Sequence, residues 1–248
     1  MKKKPKISII IPFFKKRKFF KETINSILNQ SFKNYEIIII YDDENKSDLN
    51  YIRNYIQNYK NIKIFANKKN LGVGLSRNIG IKKSKGEYLA FCDSDDVWKK
   101  NKLTEQLKFM IKNNLDFSFT SYNIIDEEGK IIKLRRIKKK INYKILLTHC
   151  YIGLSTVLIK KRIVNNVKFS DMKTKEDYLL WLNLYKKNNK IKGFDKILSS
   201  WRKTRNSLSS SISQKLLDGF RLYNRELKYN FFKSFFYLIR LSFNSLIK

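Results

Sequence analysis

The stretch Tyr88-Leu89-Ala90-Phe91-Cys92-Asp93-Ser94-Asp95-Asp96 decides which fold and which chemistry this chain can support. Its first five residues are apolar, as in a short strand that is buried on both faces of a parallel sheet. Its last four are polar, and three of them are carboxylates. In open α/β sheets, ligands bind outside the carboxyl ends of the strands. The stretch therefore predicts a ligand site at that edge of a sheet.

The acidic residues of this stretch allow two interpretations. Asp93 and Asp95 are separated by one residue, so their carboxylates can face the same small space. Carboxylate oxygens suit Mg²⁺ or Mn²⁺, which keep water ligands and bridge to substrate phosphates. Alternatively, Asp95 or Asp96 caps a helix that begins near Trp98. From these residues alone, capping explains the pattern at least as well as a metal does.

Strand-like and helix-like patterns alternate on the N-terminal side of this stretch. Apolar runs that indicate buried strands cover residues 7–11, 36–41 and 62–66. Helical periodicity covers residues 20–28, 49–59 and 73–83. Such alternation predicts an α/β fold, in which a mostly parallel sheet is flanked by helices on both faces.

The C-terminal side continues with mixed elements. The hairpin that we expect there turns at Glu128-Gly129 and is followed by a basic arm. The predicted elements are a helix over 102–114, a strand over 117–122, the hairpin over 124–140, a strand over 155–159, a helix over 176–187 and a last strand over 197–201.

Three further sets of polar residues are candidates for function, and each has a plain structural alternative. Asp42-Asp43 follow the second strand and could accept hydrogen bonds from a nucleobase or ribose, or could simply be solvated. Arg77 lies in a glycine-containing segment, 72–80, and could bind phosphate or form a surface salt bridge. Glu176-Asp177 precede an apolar helix and could supply a general base, or a first turn that suits the helix dipole.

Composition excludes several classes of site. The chain has 248 residues and a net charge of +33, from 54 Lys and Arg against 21 Asp and Glu. Such charge favours anionic partners, but a general bias towards Lys, Asn and Ile explains it as well. Two separated cysteines, Cys92 and Cys150, exclude a thiolate metal cluster, and a single histidine, His149, makes a Ser-His-Asp relay implausible. We find no signal peptide or spanning segment and expect a cytoplasmic protein.

The candidate motifs occur together in a familiar order. The chain resembles the family 2 glycosyltransferases, which have the GT-A fold, over roughly residues 6–210. The motifs that carry the resemblance are Ile7 to Pro12, Glu22 to Phe32, Glu36 to Asp43, Asn70 to Gly72, Ser76 to Gly80, Gly86 to Asp96, Gly153 to Leu158 and Glu176 to Leu182. We therefore expect a GT-A domain over residues 1–210 and a helical, basic, amphipathic extension over 211–248.

The resemblance implies a role for each candidate residue. Pro12 and Phe13, with Asp42 or Asp43, would hold the base and ribose of a nucleotide sugar, most often a UDP-sugar, and Arg77 would lie near the nucleotide. Asp93 and Ser94 would contact the ribose or sugar. Asp95, with Asp93, would hold a divalent cation, Mn²⁺ or Mg²⁺, on the diphosphate. The catalytic base would be Asp177, with Glu176 as the alternative.

Two positions depart from the family pattern. Asp42-Asp43 are followed by Glu44-Asn45 instead of Gly-Ser. Thr204 stands where many relatives carry a histidine near the metal or the diphosphate. Because that histidine is missing, Arg202, Lys203 or Arg205 is a candidate for binding the diphosphate, with the two arginines preferred.

The C-terminal segment has its own pattern. Residues 216–229 predict one helix, and a second, aromatic helix follows, with Lys233 and Arg240 among its few charged residues. Such a helix can lie in the headgroup layer of an anionic membrane, or it can pack on the protein's own core or on a second subunit in a homodimer. Its predicted apolar face comprises Phe232, Phe235, Phe236, Ile239 and Phe243, continued by Leu246 and Ile247.

These features predict an inverting, metal-dependent glycosyltransferase of the hexosyl-transferring type. It would move a sugar from a nucleotide sugar to a glycan or lipid-linked acceptor during synthesis of a surface polysaccharide or lipopolysaccharide. We expect it at the inner face of the cytoplasmic membrane. One alternative is a catalytically impaired, glycosyltransferase-like membrane scaffold. The other, a basic nucleic-acid-binding protein, explains the charge but not the acidic motifs, so we expect no nucleic-acid partner.

Overall fold

Strand β1 (Ile7–Phe13) lies inside the sheet, and all seven of its residues are buried. In this computed structural model, which describes residues 4–137, 141–205, 207 and 211–246, β1 pairs in parallel with β2 (Tyr35–Tyr41) and β4 (Tyr88–Phe91). β3 (Ile62–Ala66) pairs in parallel with β2. The apolar runs therefore form strands because both of their faces are covered.

Helices cover both faces of this parallel half. The side chains of Ile9, Ile11 and Ile37 belong to a core cluster with residues of helices α1 (Arg17–Leu28) and α2 (Leu49–Ile56). Ile10 points the other way and belongs to a second cluster. Helix α3 (Val73–Lys83) lies beside β1 and β2 and carries Gly72 as its N-cap. Successive side chains of a strand point to opposite faces of the sheet. A strand that is buried on both faces therefore contributes side chains to two separate cores.

The C-terminal half turns the sheet from parallel to mixed. Its strand order continues from β4 as β8-β6-β9-β5, with β7 beside β6, and only the β6–β9 pair in it is parallel. The predicted α/β class and GT-A-like sheet are confirmed, with parallel pairing concentrated in the first four strands. The elements of this half are β5 (Val97–Trp98), α4 (Lys102–Lys112), β6 (Phe117–Ile125), β7 (Ile131–Arg135), α5 (Tyr143–Leu146), β8 (Leu158–Lys160), α6 (Glu176–Lys186) and β9 (Ile191–Arg202).

Several predicted boundaries are wrong for local reasons. The strand expected over 155–159 begins at Leu158, because residues 154–156 form a 3₁₀ turn. β9 begins six residues earlier than expected, since it pairs along the whole of β6. The hairpin at 124–140 exists, and Gly129 adopts a left-handed φ of 89° in its turn. The basic arm after it includes residues 138–140, which lie outside the described residues.

The C-terminal segment forms two helices that dock on the main core. α7 (Ile212–Arg221) continues through a π-helical turn over 222–226, and α8 (Phe231–Leu246) follows. The predicted single helix over 216–229 is therefore wrong in its bounds. Asp218 accepts hydrogen bonds of 2.8 Å from both the backbone N–H and the hydroxyl of Thr174, and Leu222 joins the core around α6. The expected boundary at 210/211 falls at residues 208–210, which lie outside the described part of the chain.

Helix α8 buries one face and exposes the other. Ser234 and Leu241 face the protein. The predicted apolar face points outwards, and half or more of each side chain is exposed: Phe232, Phe235, Phe236, Ile239 and Phe243, joined by Phe231. The side chains of Leu246 and Ile247, which continue the predicted face, lie outside the described part of the structure. Among the described residues, no helix is long and apolar enough to cross a membrane.

Gly74 permits the closest approach between α3 and the segment that leads into α6. A Cβ atom at this position would lie 2.2 Å from the carbonyl oxygen of Ser170 and 3.3 Å from Cγ of Glu176. Because the nearest atom belongs to the backbone, the segment itself would have to move. Gly74 thereby fixes the distance between Arg77 on α3 and the first turn of α6.

We predict that Gly74→Ala lowers the free energy of unfolding by about 1–3 kcal/mol, the usual cost of overpacking a buried contact. Denaturant-induced unfolding measures the change. Lys82→Ala, at an exposed position on the same helix, is the control and should change stability by less than about 0.5 kcal/mol. Equal stability of the two variants would show that the contact between α3 and Ser170 is not tight.

Candidate active site

The carboxyl ends of β1, β2 and β4 meet at one edge of the sheet. There the backbone N–H of Asp42 donates to the carbonyl of Phe13 at 2.8 Å, and that of Cys92 donates to Ile10 at 3.1 Å. The acidic residues that follow β2 and β4 therefore start from adjacent strands. This is the arrangement predicted from the strand order.

Asp42 has a structural task at this edge. Its carboxylate accepts hydrogen bonds from the Asn67 side chain at 2.7 Å and from the backbone N–H groups of Leu71 and Gly72 at 2.9 Å. Asn67 also donates to Ser76 on α3. Asp42 thus fixes the loop that leads into α3, and its two oxygens are engaged within the protein.

Asp43 is the carboxylate that remains available after β2. Its Oδ1 accepts the backbone N–H of Asn45 at 3.2 Å, whereas its buried Oδ2 has no hydrogen-bond partner within the described part of the chain. A buried carboxylate oxygen without a donor is costly and calls for an explanation. Of the two residues that the sequence left open, Asp43 has the carboxylate whose hydrogen-bonding capacity is not filled, and its role toward a nucleotide stays a prediction.

Phe13 does not fit its expected role. Its ring is fully buried, stacks on Tyr41 at a centroid distance of 5.3 Å and meets Phe20 edge-on. The side chain therefore belongs to the core and cannot contact a nucleotide. Pro12 is likewise buried at the end of β1, whereas the next residue, Phe14, is exposed.

Arg77 joins two of the predicted motifs by a buried double ion pair. One guanidinium nitrogen lies 2.7 Å from Oδ1 of Asp93, after β4, and another lies 2.5 Å from Oε1 of Glu176, on α6. Burial opposes the charge of Arg77, but the two carboxylates outweigh it and raise the pKa of the guanidinium. These bonds favour the salt-bridge alternative for Arg77, with the ion pairs buried instead of on the surface, and the expectation that Arg77 lies near the nucleotide stays a prediction.

Asp93 keeps one side open to the site. Its side chain is 31% exposed although Arg77 holds one oxygen, and the Ser155 hydroxyl accepts its backbone N–H. Ser94 beside it is buried. Asp93 is therefore the member of the acidic stretch whose carboxylate is both fixed and partly accessible.

Asp177 and Glu176 differ in their surroundings. Burial raises the pKa of Glu176 to about 7, and Asp177 adds to this, but the ion pair with Arg77 favours the charged form. Burial also raises the pKa of Asp177, with Arg77 opposing and Asp93 adding. Only one hydrogen bond to the Asp177 carboxylate is present among the described residues, from the backbone N–H of Tyr178. Asp177 is thus the freer of the two carboxylates.

Asp95 faces a lysine that the sequence did not single out. Its Oδ2 lies 2.8 Å from Nζ of Lys16, which also donates to the hydroxyl of Thr204 at 2.8 Å. Burial raises the pKa of Asp95, while Lys16 opposes this effect. Within the described ranges, no group of three or more His, Cys, Asp or Glu side chains could hold a metal by itself.

Arg202 fixes the backbone of the acidic stretch. Its backbone N–H donates to Asp96 at 2.9 Å, and its guanidinium donates to the carbonyls of Asp95, Asp126 and Glu127 and pairs with Glu22 at 2.5 Å. Arg202 is almost fully buried, so its expected role at the diphosphate does not fit this placement. Asp96 is buried as well and is followed by β5, not by a helix, so the capping interpretation is wrong.

Arg205 is exposed, and its backbone N–H donates to Glu127. Its side chain stays a candidate for the diphosphate.

Two further residues at the site were missed. Lys16 has the simplest signal, since it is basic and lies in the short connection between β1 and α1. Burial raises the pKa of Tyr122 to about 12, with Arg135 opposing the shift and Cys150, Asp96 and Asp177 adding to it. Nothing in the sequence marks Tyr122, because its position depends on the bend of β6.

Comparison with known proteins agrees with this geometry. The model of glycosyl transferase family 2 matches residues 8–171. The chain is 32% identical over 209 residues to a putative teichuronic acid biosynthesis glycosyltransferase, TuaG, of Bacillus subtilis, covering 84% of this chain and 83% of that one. It is 34% identical over 208 residues to an Escherichia coli UDP-Glc:alpha-D-GlcNAc-diphosphoundecaprenol beta-1,3-glucosyltransferase, WfgD, covering 83% and 80%.

Solved structures share the fold. Staphylococcus aureus TarS in complex with UDP-GlcNAc superposes with a TM-score of 0.72 at 22% identity, covering 89% of this chain and 67% of that one. The mannosyltransferase PcManGT of Pyrobaculum calidifontis, with GDP-Man and Mn²⁺, gives 0.69 at 9% identity, covering 92% and 66%. The family model, the relatives and the carboxylates at the sheet edge agree, and the chain belongs to glycosyl transferase family 2 as a glycosyltransferase with the GT-A fold.

Proposed function

We propose that this glycosyltransferase inverts the anomeric configuration of a sugar that it transfers from a UDP-sugar to a hydroxyl of a lipid-linked glycan. The observation that carries the proposal is the division among the carboxylates. Arg77 holds Asp93 and Glu176 in place, and Asp177 stays free beside them. The donor and acceptor named for WfgD support the substrate class. The name of TuaG supports a place in the assembly of a surface polysaccharide.

Each available carboxylate has a task in this reaction. Asp43 offers its unpartnered Oδ2 to an N–H group of the nucleobase or to a ribose hydroxyl. Asp93 offers its open side to hydroxyl groups of the ribose or sugar. Asp177 removes the proton from the acceptor hydroxyl, whose oxygen then bonds to C1 of the sugar as the bond from C1 to the diphosphate oxygen breaks. The nucleoside diphosphate leaves, and attack opposite to it inverts the configuration.

The donor set fits a divalent cation at Asp95. Mg²⁺ and Mn²⁺ take one or two protein carboxylates and complete their coordination with substrate phosphates and water, so a cage of three protein ligands is not required. Asp95 would hold the cation, with Asp93 beside it. When bound, the cation neutralises the charge of the leaving diphosphate as a Lewis acid. The Mn²⁺ in PcManGT, a protein of the same fold, supports this assignment.

The outer face of α8 supports a peripheral position on an anionic membrane. It exposes Phe232, Phe235 and Phe236, and the helix has no acidic residue between 231 and 246. Lys233 and Arg240 lie on the exposed side of the same helix. Aromatic and basic residues together suit the headgroup layer, where a lipid-linked acceptor would be presented. We therefore propose that the protein lies at the inner face of the cytoplasmic membrane, with α7 and α8 as the extension that contacts the lipid surface.

We predict that Asp177→Asn lowers the rate of sugar transfer at least 100-fold, the usual contribution of a general base. Donor binding should be retained, because the amide keeps the size of the side chain and the bond to Tyr178. Transfer from a panel of UDP-sugars to a diphospholipid-linked sugar measures the rate. Asp171→Asn, at an exposed loop position, is the matched control and should transfer as the wild type does. Undiminished transfer by Asp177→Asn would contradict the assigned base.

We predict that the double substitution Phe235→Ser and Phe236→Ser releases the protein from vesicles that contain phosphatidylglycerol. Both side chains are about half exposed, so the fold should be retained. Co-sedimentation with the vesicles measures binding, and Ile111→Ser, which removes an exposed apolar side chain from α4, is the control. If the double variant binds vesicles unchanged, or dissociates from a dimer to a monomer instead, the face does not contact lipid.

A further inference from the structure

Lys16 places a fixed positive charge at the predicted metal ligand. Its Nζ lies 2.8 Å from Oδ2 of Asp95 and 2.8 Å from the hydroxyl oxygen of Thr204. The Lys16 side chain is 22% exposed and that of Asp95 is 12% exposed. A partly buried ion pair of this kind is screened by solvent much less than a surface pair.

Three separate segments position this contact. Lys16 is the N-cap residue of α1, in the connection from β1, whereas Asp95 follows β4 and Thr204 follows β9. Arg202 fixes the backbone near both partners of Lys16. Its guanidinium donates a hydrogen bond to the carbonyl of Asp95, and it precedes Thr204 by two residues. Lys16 is therefore directed at Asp95 by the fold and does not meet it by chance on an open surface.

The chemistry of an ammonium group makes it a competitor for a divalent cation. Lysine carries a compact charge with three N–H donors, and Asp95 and Thr204 engage two of them. An oxygen that accepts a hydrogen bond from Lys16 cannot also coordinate a metal ion along the same direction. Within the described ranges no acceptor takes the third donor, which suits an anionic oxygen such as that of a diphosphate.

We propose that Lys16 is a tethered cation that competes with the divalent cation for Asp95 until a nucleoside diphosphate arrives. The phosphate oxygens then accept the ammonium group, and Asp95 becomes free for the metal. Binding of Mn²⁺ and binding of the nucleotide are thereby coupled, each strengthening the other. The inference rests on the proposed metal role of Asp95.

The test measures free Mn²⁺ by electron paramagnetic resonance in titrations of the full chain. Without nucleotide, Lys16→Met should bind Mn²⁺ at least about fivefold more tightly than the wild type does. This ratio corresponds to the upper value of the free energy of an exposed ion pair. Lys21→Met removes the same charge from an exposed position on α1, so it controls for net charge and should bind as the wild type does. Adding UDP should strengthen Mn²⁺ binding by a larger factor in the wild type than in Lys16→Met.

Asp95→Asn separates the two ways in which the idea can fail. If Asp95→Asn weakens Mn²⁺ binding but Lys16→Met binds like Lys21→Met, competition by Lys16 is disproved and the metal role of Asp95 stands. If Asp95→Asn binds Mn²⁺ as tightly as the wild type, the metal does not bind at Asp95, and both the inference and this part of the proposed function fall. In the double variant Lys16→Met and Asp95→Asn, the gain from the lysine substitution should vanish.

Discussion

The double ion pair of the buried Arg77 guanidinium is the interaction on which the rest of the site depends. It pairs with Asp93, which follows β4, and with Glu176, in the first turn of α6. Removing one partner of a buried pair leaves an uncompensated charge and typically costs about 3–5 kcal/mol. The pair therefore holds two distant segments in one geometry, and Gly74 makes that geometry possible by allowing α3 to approach. The donor side and the acceptor side of the site are fixed relative to each other by one side chain.

The acidic residues divide into those that build the site and those left free for ligands. Asp42 and Asp96 accept backbone N–H groups and fix loops, so little of their capacity remains for a substrate. Asp43, Asp93 and Asp177 each keep an oxygen or a face that the protein does not satisfy in full. Proximity of a fixed base to a fixed donor supplies much of the rate of a transfer reaction. The division explains why so many carboxylates gather where a glycosyltransferase needs only a few.

The sequence predicts where the buried strands end, but it does not show which distant side chains meet there. Strands buried on both faces leave continuous apolar runs, so the strand ends before Asp42 and Asp93 were predictable, as were the residues of the apolar face of α8, whose exposure the sequence left open. Partners far apart in sequence were not. Arg77 and Glu176 are 99 residues apart, and Arg202 and Glu22 are 180 apart, so neither pair leaves a local pattern. Lys16 was missed for the same reason.

If the carboxylates around Arg77 form a nucleotide-sugar site, nucleotide sugars should stabilise the folded protein. Thermal unfolding with and without these ligands measures that stabilisation. A ligand that binds only the folded state raises Tm by mass action. At a concentration of 100 times its Kd, it adds about 2.7 kcal/mol to the free energy of unfolding. Unfolding would be followed with UDP-sugars, GDP-sugars or duplex DNA, each with and without Mn²⁺. We expect a UDP-sugar to raise Tm, and to raise it further when Mn²⁺ is present. Duplex DNA should leave Tm unchanged. Stabilisation by DNA with no response to any nucleotide sugar would contradict this expectation.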